Sequence, residues 1–265
     1  MIFTNAKIIL KQKIADDVFH FLLRSDNGNP FPQVKCGQFV NVQIPNHPEK
    51  ILRRPFGIIK STTEQHGGTV TFAAQVKGEG TRVLCNETKE GDSVELMLPL
   101  GNGFEIGDSV KKIALVGGGI GVFPLVSVLD QHQDKEIHSF LGYKNKDSAY
   151  FLDAFRRASK KCHITSDDGT IGQQGRVTDL VAQHIAETSP DIVLACGPPA
   201  MFRSLKQVMS AHPNTVVNVS MEERMGCGFG VCLGCTCKVK NKDGGINHER
   251  VCKEGPVFNL NEVQL

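Results

Sequence analysis

At 265 residues, with 40% hydrophobic and 22% charged positions, the chain has the composition of an ordinary globular protein of about one to three domains. A formal net charge of +2 excludes the strong field by which nucleic-acid and membrane-surface binders attract their targets. The opening MIFTNAKIILKQK lacks the apolar core of a signal peptide, and the longest apolar run, 113–126, is broken by four glycines and a proline, so a cytoplasmic protein with no membrane or nucleic-acid partner is expected.

From 1 to 107 the pattern has period two. Phe19, Phe21 and Leu23 alternate with His20 and Leu22; Val40, Val42 and Ile44 alternate with Asn41 and Gln43. Val70, Phe72, Ala74 and Val76 repeat it, as do Val94, Leu96 and Leu98. Turn clusters at 26–30, 46–50 and 64–68 separate these runs, which predicts an antiparallel barrel or sandwich. Here Arg53 and Arg54 precede Pro55, Phe56 and Gly57 at a strand start, and Gly78-Glu79-Gly80-Thr81 follows a later strand. The Arg54 fork suits a pyrophosphate oxygen, to which Gly80 and Thr81 can add an N–H and a hydroxyl. Taken alone, the arginine pair reads as the solvated edge of a strand.

Near residue 111 the character changes. A buried strand at 113–116 runs into Gly117-Gly118-Gly119-Ile120-Gly121, and Pro124 opens an apolar helix. A second strand is expected at 137–142 and a third at 192–196. Val177, Leu180, Val181 and Ile185 form one helical stripe; Met201, Leu205, Val208 and Met209 mark another helix. Alternating strands and helices over 108–219 imply a parallel sheet with helices on its faces.

In this lobe Gly118, Gly119 and Gly121 sit where a strand–turn–helix places free N–H groups and the positive helix end against a phosphate. Val122 occupies the place of the last glycine of the dinucleotide fingerprint, and any tight turn gives similar letters. Cys196, Gly197 and Pro198 lie at the carboxyl end of a later strand and face the same crevice; alone they read as a plain strand-to-helix turn. Lysines 144 and 146 follow the second strand, where a basic group can meet a 2′-phosphate or simply be solvated. The charges of Met221-Glu222-Glu223-Arg224-Met225 read as a solvated face.

The last segment, 220–265, carries Cys227, Cys232, Cys235 and Cys252, spaced C-x4-C-x2-C with the fourth cysteine after sixteen further residues. The opening spacing is the plant-type signature of a [2Fe–2S] cluster, and glycines 226, 228, 230 and 234 let the backbone wrap it. Zinc also takes four thiolates, though a glycine-packed C-x4-C limb is less usual for it. Nine cysteines is an odd count, and a chain of 265 residues needs no disulfide staples. Cys237, one residue removed from Cys235, is the spare thiol, and the other free cysteines fit a reducing compartment.

In this order the parts resemble the ferredoxin–NADP⁺ reductase superfamily and, within it, the electron-transfer subunits of dihydroorotate dehydrogenase B. CGQFVNV (36–42), LRRPFGI (52–58), VKGEGTRVL (76–84), GGGIGVFPL (117–125), ACGPPAMF (195–202), SMEERMGCGFGVCLGCTC (220–237) and VCKEGPVF (251–258) carry the likeness. It implies an FAD-binding β-barrel over 1–107, an NAD(H)-binding α/β domain over 108–219 and a small [2Fe–2S] module over 220–265. The segments matching Arg54, Pro55, Phe56, Gly57, Ala73, Ala74, Gln75, Gly80 and Thr81 would hold FAD, and the four named cysteines the cluster. Gly57 departs from the pattern, because family members commonly carry serine or threonine there.

The implied role is an NAD-linked oxidoreductase component of pyrimidine biosynthesis. Electrons would pass from a catalytic, FMN-containing dihydroorotate dehydrogenase subunit through cluster and FAD to NAD⁺, in a heterotetramer of two of each subunit. Dihydroorotate oxidation itself would need that partner. The alternatives are a free-standing NAD(P)H-dependent reductase serving ferredoxin, hydrogenase or an oxygenase, and a zinc-stabilised nucleotide-binding module without redox activity.

Overall fold

Alternation of apolar and polar side chains closes a six-stranded antiparallel barrel around its own core. Its strands are β1 (Ile2–Ala15), β2 (Val18–Ser25), β3 (Phe39–Val42), β4 (Arg54–Ser61), β5 (Thr69–Gln75) and β6 (Ser93–Leu100), in the order β1-β2-β5-β4-β3-β6. This computed structural model describes residues 1–64, 67–241 and 243–265; Gln65 and His66 of the expected 64–68 turn lie outside the described residues. Phe21, Phe72 and Phe56 stack in the barrel, with neighbouring ring centroids 5.2 and 4.9 Å apart.

Two details depart from the simple pattern. Glycines 78 and 80 open a helix, α1 (Glu79–Asn86), that covers one end of the barrel with Val83, Leu84 and Cys85. Asn41, expected on the polar face of β3, is fully buried, because the cysteine loop covers that face and its Nδ2 donates to the Cys227 carbonyl at 3.4 Å.

The second unit is a seven-stranded sheet. In chain order it runs β7 (Lys112–Gly118), α2 (Val122–Gln131), β8 (Glu136–Tyr143), α3 (Leu152–Ala158), β9 (Lys161–Ser166), β10 (Gln173–Gln174), α4 (Val177–Thr188), β11 (Ile192–Cys196), α5 (Pro199–Met209) and β12 (Val216–Ser220). The strand order is β10-β9-β8-β7-β11-β12, all parallel. The central strands are apolar on both sides because α2 and α3 cover one face and α4 and α5 the other.

The C-terminal segment adds a hairpin of β13 (Thr236–Lys240) and β14 (Ile246–Arg250). It then returns as β15 (Val257–Asn259), which pairs antiparallel with β12 as the edge of the lobe's sheet. Cys235, Cys237, Val251 and Cys252 share one core with α4, α5 and the barrel residues Phe39, Met97 and Leu100. Barrel, lobe and cysteine segment are therefore packed against each other. Among the described residues no helix is long and apolar enough to cross a membrane.

Candidate flavin, nucleotide and cluster sites

Two cavities open between barrel and lobe. The smaller, about 270 Å³, is floored by Arg54, Pro55, Phe56 and Gly57 of β4 and by Ala73, Gln75 and Thr81; Phe123, Pro124, Cys196 and Pro256 close it from the other side. Arg54 is aimed by its surroundings. Its Nη1 donates to the carbonyl of Leu52 and, at 3.5 Å, to that of Arg53, and its guanidinium lies over Gly80. A β-carbon on Gly80 would lie 2.5 to 2.7 Å from three guanidinium atoms, so only glycine leaves the fork where it is.

The structure separates other residues of that set. Ala74 points into the barrel core, as period two requires of the residue between Ala73 and Gln75. The Thr81 hydroxyl is already engaged: it accepts from the N–H of Lys77 at 2.9 Å and of Gly78 at 3.1 Å and donates to the Gly78 carbonyl. Thr81 thus caps its own helix, leaving first-turn N–H groups of α1 beside Arg54.

The larger cleft, about 1010 Å³, lies outside the carboxyl ends of the lobe's strands and is lined by Gly118, Gly119, Gly121, Gly197 and Pro198. The two glycine turns touch. A β-carbon on Gly118 would lie 2.9 Å from Met201 Sδ and 3.1 Å from Pro198 Cδ; one on Gly121 would meet the Cys196 carbonyl. Val122, the departure from the dinucleotide fingerprint, fits because its Cγ1 fills the space where Gly117 lacks a side chain. Gly119, with φ +56°, has open space around it. Of the two lysines after β8, Lys144 lines the cleft together with Asn145 and Asp147. Tyr143 turns inward instead, donating its hydroxyl to the Tyr150 carbonyl at 3.0 Å.

Gln75, Lys77, Ile120, Met221 and Glu222 line both cavities, so the two adjoin. Glu222, Glu223 and Met225 line the smaller cavity, and Glu222 and Glu223 stay exposed, in keeping with the solvated face expected of this stretch. Their position at the end of β12, beside the ends of β7 and β11, follows from parallel strand order, which a local pattern does not reveal. Cys196 sits beside them; burial pushes its thiol up, the Glu222 charge adds to this, and a hydrogen bond from Ser220 works against it.

Backbone N–H groups of the cysteine segment point at the sulfurs of Cys227, Cys232 and Cys235, although among the described residues no three of the four thiols stand close enough together to hold a metal as they are. Cys232 Sγ accepts from the N–H of Cys227 at 3.4 Å and of Gly234 at 3.5 Å. Cys227 Sγ accepts from Val231 and Cys232, and Cys235 Sγ accepts from Cys252 at 3.4 Å. These contacts sort the sulfurs into two pairs, Cys227 with Cys232 and Cys235 with Cys252. Two irons with two thiolates each suit that sorting.

Burial raises the Cys227 thiol, but the N–H groups of Phe229, Cys232 and Val231 outweigh it and hold the pKa at about 6. Cys252 is pushed up to about 12 by burial, by its hydrogen bond with Cys235 and by the charges of Cys235 and Cys227. Gly226, whose β-carbon would lie 3.1 Å from Cys232 Sγ, leaves room for the sulfurs. Cys237 faces the core on β13, and among the described residues no N–H is directed at its sulfur. Cys232 is exposed whereas Cys235 and Cys252 are buried, so one edge of the quartet faces outward.

The chain matches the family profile of the iron-sulfur cluster binding domain of dihydroorotate dehydrogenase B over 222–264, and that of the oxidoreductase NAD-binding domain over 115–207. It is 35% identical over 259 residues to the dihydroorotate dehydrogenase B (NAD(+)) electron transfer subunit of Caldanaerobacter subterraneus subsp. tengcongensis, covering 98% of this chain and 97% of that one. The protein of the same name from Bacillus pumilus is 33% identical over 262 residues, covering 97% and 96%. Among solved structures, NADH-dependent reduced ferredoxin-NADP oxidoreductase superposes with a TM-score of 0.83 at 29% identity, covering 98% of this chain and 89% of that one. Phthalate dioxygenase reductase shares the fold, with a TM-score of 0.67 at 22% identity over 94% and 76%.

Proposed function

The chain belongs to the family of electron transfer subunits of dihydroorotate dehydrogenase B, and from that membership we propose that it carries electrons between a catalytic dihydroorotate dehydrogenase subunit and NAD⁺. The observation that carries this reading is that the two cavities adjoin, sharing Gln75, Lys77, Ile120, Met221 and Glu222, with the cysteine segment tethered to the same wall. Met225 lies two residues before Cys227, and Pro256 four after Cys252, and both line the smaller cavity.

Arg54 and the first turn of α1 would hold the diphosphate of FAD, and Pro55, Phe56, Gly57 and Gln75 its ring end. Gly118, Gly119, Gly121, Gly197 and Pro198 would admit the diphosphate and nicotinamide ribose of NAD(H). Cys227, Cys232, Cys235 and Cys252 would bind the [2Fe–2S] cluster. FAD bound there supplies the exchange between the two-electron chemistry of NAD(H) and the one-electron chemistry of a cluster. The protein's own contribution is to bring the ends of the two cavities together and to exclude water with Phe123, Pro124 and Met221.

The outward edge of the quartet is flanked by Phe229, Val231 and Leu233, which are 40, 71 and 61% exposed. An apolar rim around an electron-exchanging edge suits a protein partner that brings its own redox centre close. We assign that rim to the FMN-containing catalytic subunit, in a cytoplasmic assembly of two copies of each chain.

The test is an anaerobic absorption spectrum of the purified protein before and after NADH, with iron, zinc and flavin assayed on the same sample, followed by addition of the catalytic subunit and dihydroorotate. Flavin and iron–sulfur bands that bleach with NADH, and NAD⁺ reduction that depends on dihydroorotate and partner, are expected. Bleaching with transfer to ferredoxin but none from the partner would instead support the free-standing reductase. A colourless, zinc-containing protein would refute both.

A further inference from the structure

The peptide joining Gly230 to Val231 is held at both edges. Its carbonyl accepts from Nη1 of Arg250 at 2.7 Å, and its N–H donates to Sγ of Cys227 at 3.3 Å. Because a peptide unit is planar, with C=O and N–H on opposite edges, fixing one aims the other. Gly230 itself is buried, takes φ +93°, and packs against the stem of Lys253, whose Cδ would lie 2.5 Å from a β-carbon there.

Arg250 is fixed in turn. It ends β14, and its Nε donates to Oε2 of Glu254 at 2.8 Å while Nη2 donates to Oε1 of the same carboxylate. The backbone N–H of Arg250 also reaches Oε2, at 2.9 Å. This two-pronged pair occupies one side of the guanidinium and leaves Nη1 for the Gly230 carbonyl. The carbonyl of Arg250 accepts from the N–H groups of Lys253, Glu254 and Gly255, closing the turn that carries Cys252. One residue therefore ties the loop of Cys227 to the turn of Cys252, and among the described residues its side chain donates to no sulfur itself.

We propose that Arg250, braced by Glu254, is a positioning residue that sets the reduction potential of the cluster by keeping the N–H of Val231 on the Cys227 sulfur. The inference rests on the cluster assignment above and deepens it. Reduction adds negative charge to a cluster, and an N–H aimed at a ligating sulfur stabilises that charge, so the device raises the potential. A guanidinium on the carbonyl of the same peptide polarises it and strengthens the N–H as a donor.

The experiment is a redox titration of the purified holoprotein, followed by the electron paramagnetic resonance signal of the reduced cluster, with iron and FAD assayed in each sample. Arg250→Lys keeps the charge but cannot serve Glu254 and Gly230 with one fork; Glu254→Gln removes the brace. Both are expected to shift the one-electron equilibrium about fivefold toward the oxidised form, the size of one hydrogen bond, with iron and FAD content unchanged. Glu254→Gln separates positioning from charge: losing a carboxylate near the cluster raises the potential by charge alone, whereas losing the brace lowers it. A potential unmoved in Arg250→Lys, or unmoved or raised in Glu254→Gln, overturns the proposal. Loss of iron from both variants overturns it too, because the pair would then be a structural brace only. A parent without iron–sulfur absorption overturns the cluster assignment and this inference together; a parent with its cluster beside indifferent variants removes the inference alone.

Discussion

A β-carbon on Gly57 would lie 2.7 Å from Cγ of Pro124, so β4 of the barrel and α2 of the lobe touch through a missing side chain. That contact supplies a physical reason for glycine where the resemblance leads one to expect serine or threonine. Neither a strand nor a proline ring in a helix's first turn yields cheaply, so Gly57→Ala is expected to cost about 1–3 kcal/mol. In a Pro124→Ala background the same change should cost much less. Urea denaturation of the four proteins measures the coupling; additive losses would show that Pro124 is not the obstacle.

The Arg54 guanidinium rests on Gly80, and the end of that side chain is free to move if pushed. Gly80→Ala is therefore expected to leave the melting temperature nearly unchanged while weakening FAD. Arg54→Ala should weaken FAD by about 10- to 100-fold, the range for losing a charge-assisted hydrogen-bonding group. Equilibrium dialysis of the apoprotein with FAD checks both. Full flavin retention in Arg54→Ala would remove this residue from the site.

Serine at Cys227, Cys232, Cys235 or Cys252 should abolish iron–sulfur absorption and lower bound iron, whereas Cys237→Ala should retain both. Cys237 is a core thiol that burial pushes up to about 11, the reverse of Cys227. A chelator should bleach the parent at a rate unchanged by Cys237→Ala. Loss of iron from the Cys237 variant would move the fourth ligand.

His163 stacks between Phe140 and His184, with centroids 4.9 and 4.3 Å away, and its Nε2 is buried without a partner among the described residues. Burial lowers its pKa first, and the neighbouring His184, Lys161 and His138 lower it further, with Glu187 opposing. The unfolded chain protonates this ring near pH 6.5, so the folded lobe binds fewer protons. The associated stability is complete above about pH 6.5 and is lost as pH falls through the depressed value. Melting temperatures of the parent should fall between about pH 7.5 and 5.5, and His163→Phe, which keeps the stack, should flatten that slope. Identical slopes would assign the acid sensitivity elsewhere.

Aspartate at both Val231 and Leu233 should leave bound FAD, bound iron and bleaching by NADH intact, since both side chains point outward. Affinity for the catalytic subunit should fall by at least about tenfold, an apolar interface anchor being worth more than about 1 kcal/mol. Unchanged complex formation in analytical ultracentrifugation would place the docking surface elsewhere.

Features that depend on neighbours along the chain are legible in its letters: the period-two strands, the helical stripes ending at Ile185 and Met209, the glycine run before Val122, and a cysteine spacing that tolerates few other uses. Local pattern also carries the resemblance that assigns FAD, NAD(H) and a cluster to their segments. Relationships between residues far apart in sequence require the fold. Thr81 reads along the chain as a free hydroxyl, yet its own helix start uses it. Asn41 reads as exposed, yet the cysteine loop, 186 residues away, lies over it. Glu222 reads as solvated and is exposed, and only the parallel order of β7, β11 and β12 brings it to the border of two cavities. Periodicity and spacing report what a residue and its near neighbours can do, because backbone geometry repeats over a few residues. Which groups face one another is decided by which strands pair and which faces are covered, and that free energy is distributed over the whole chain.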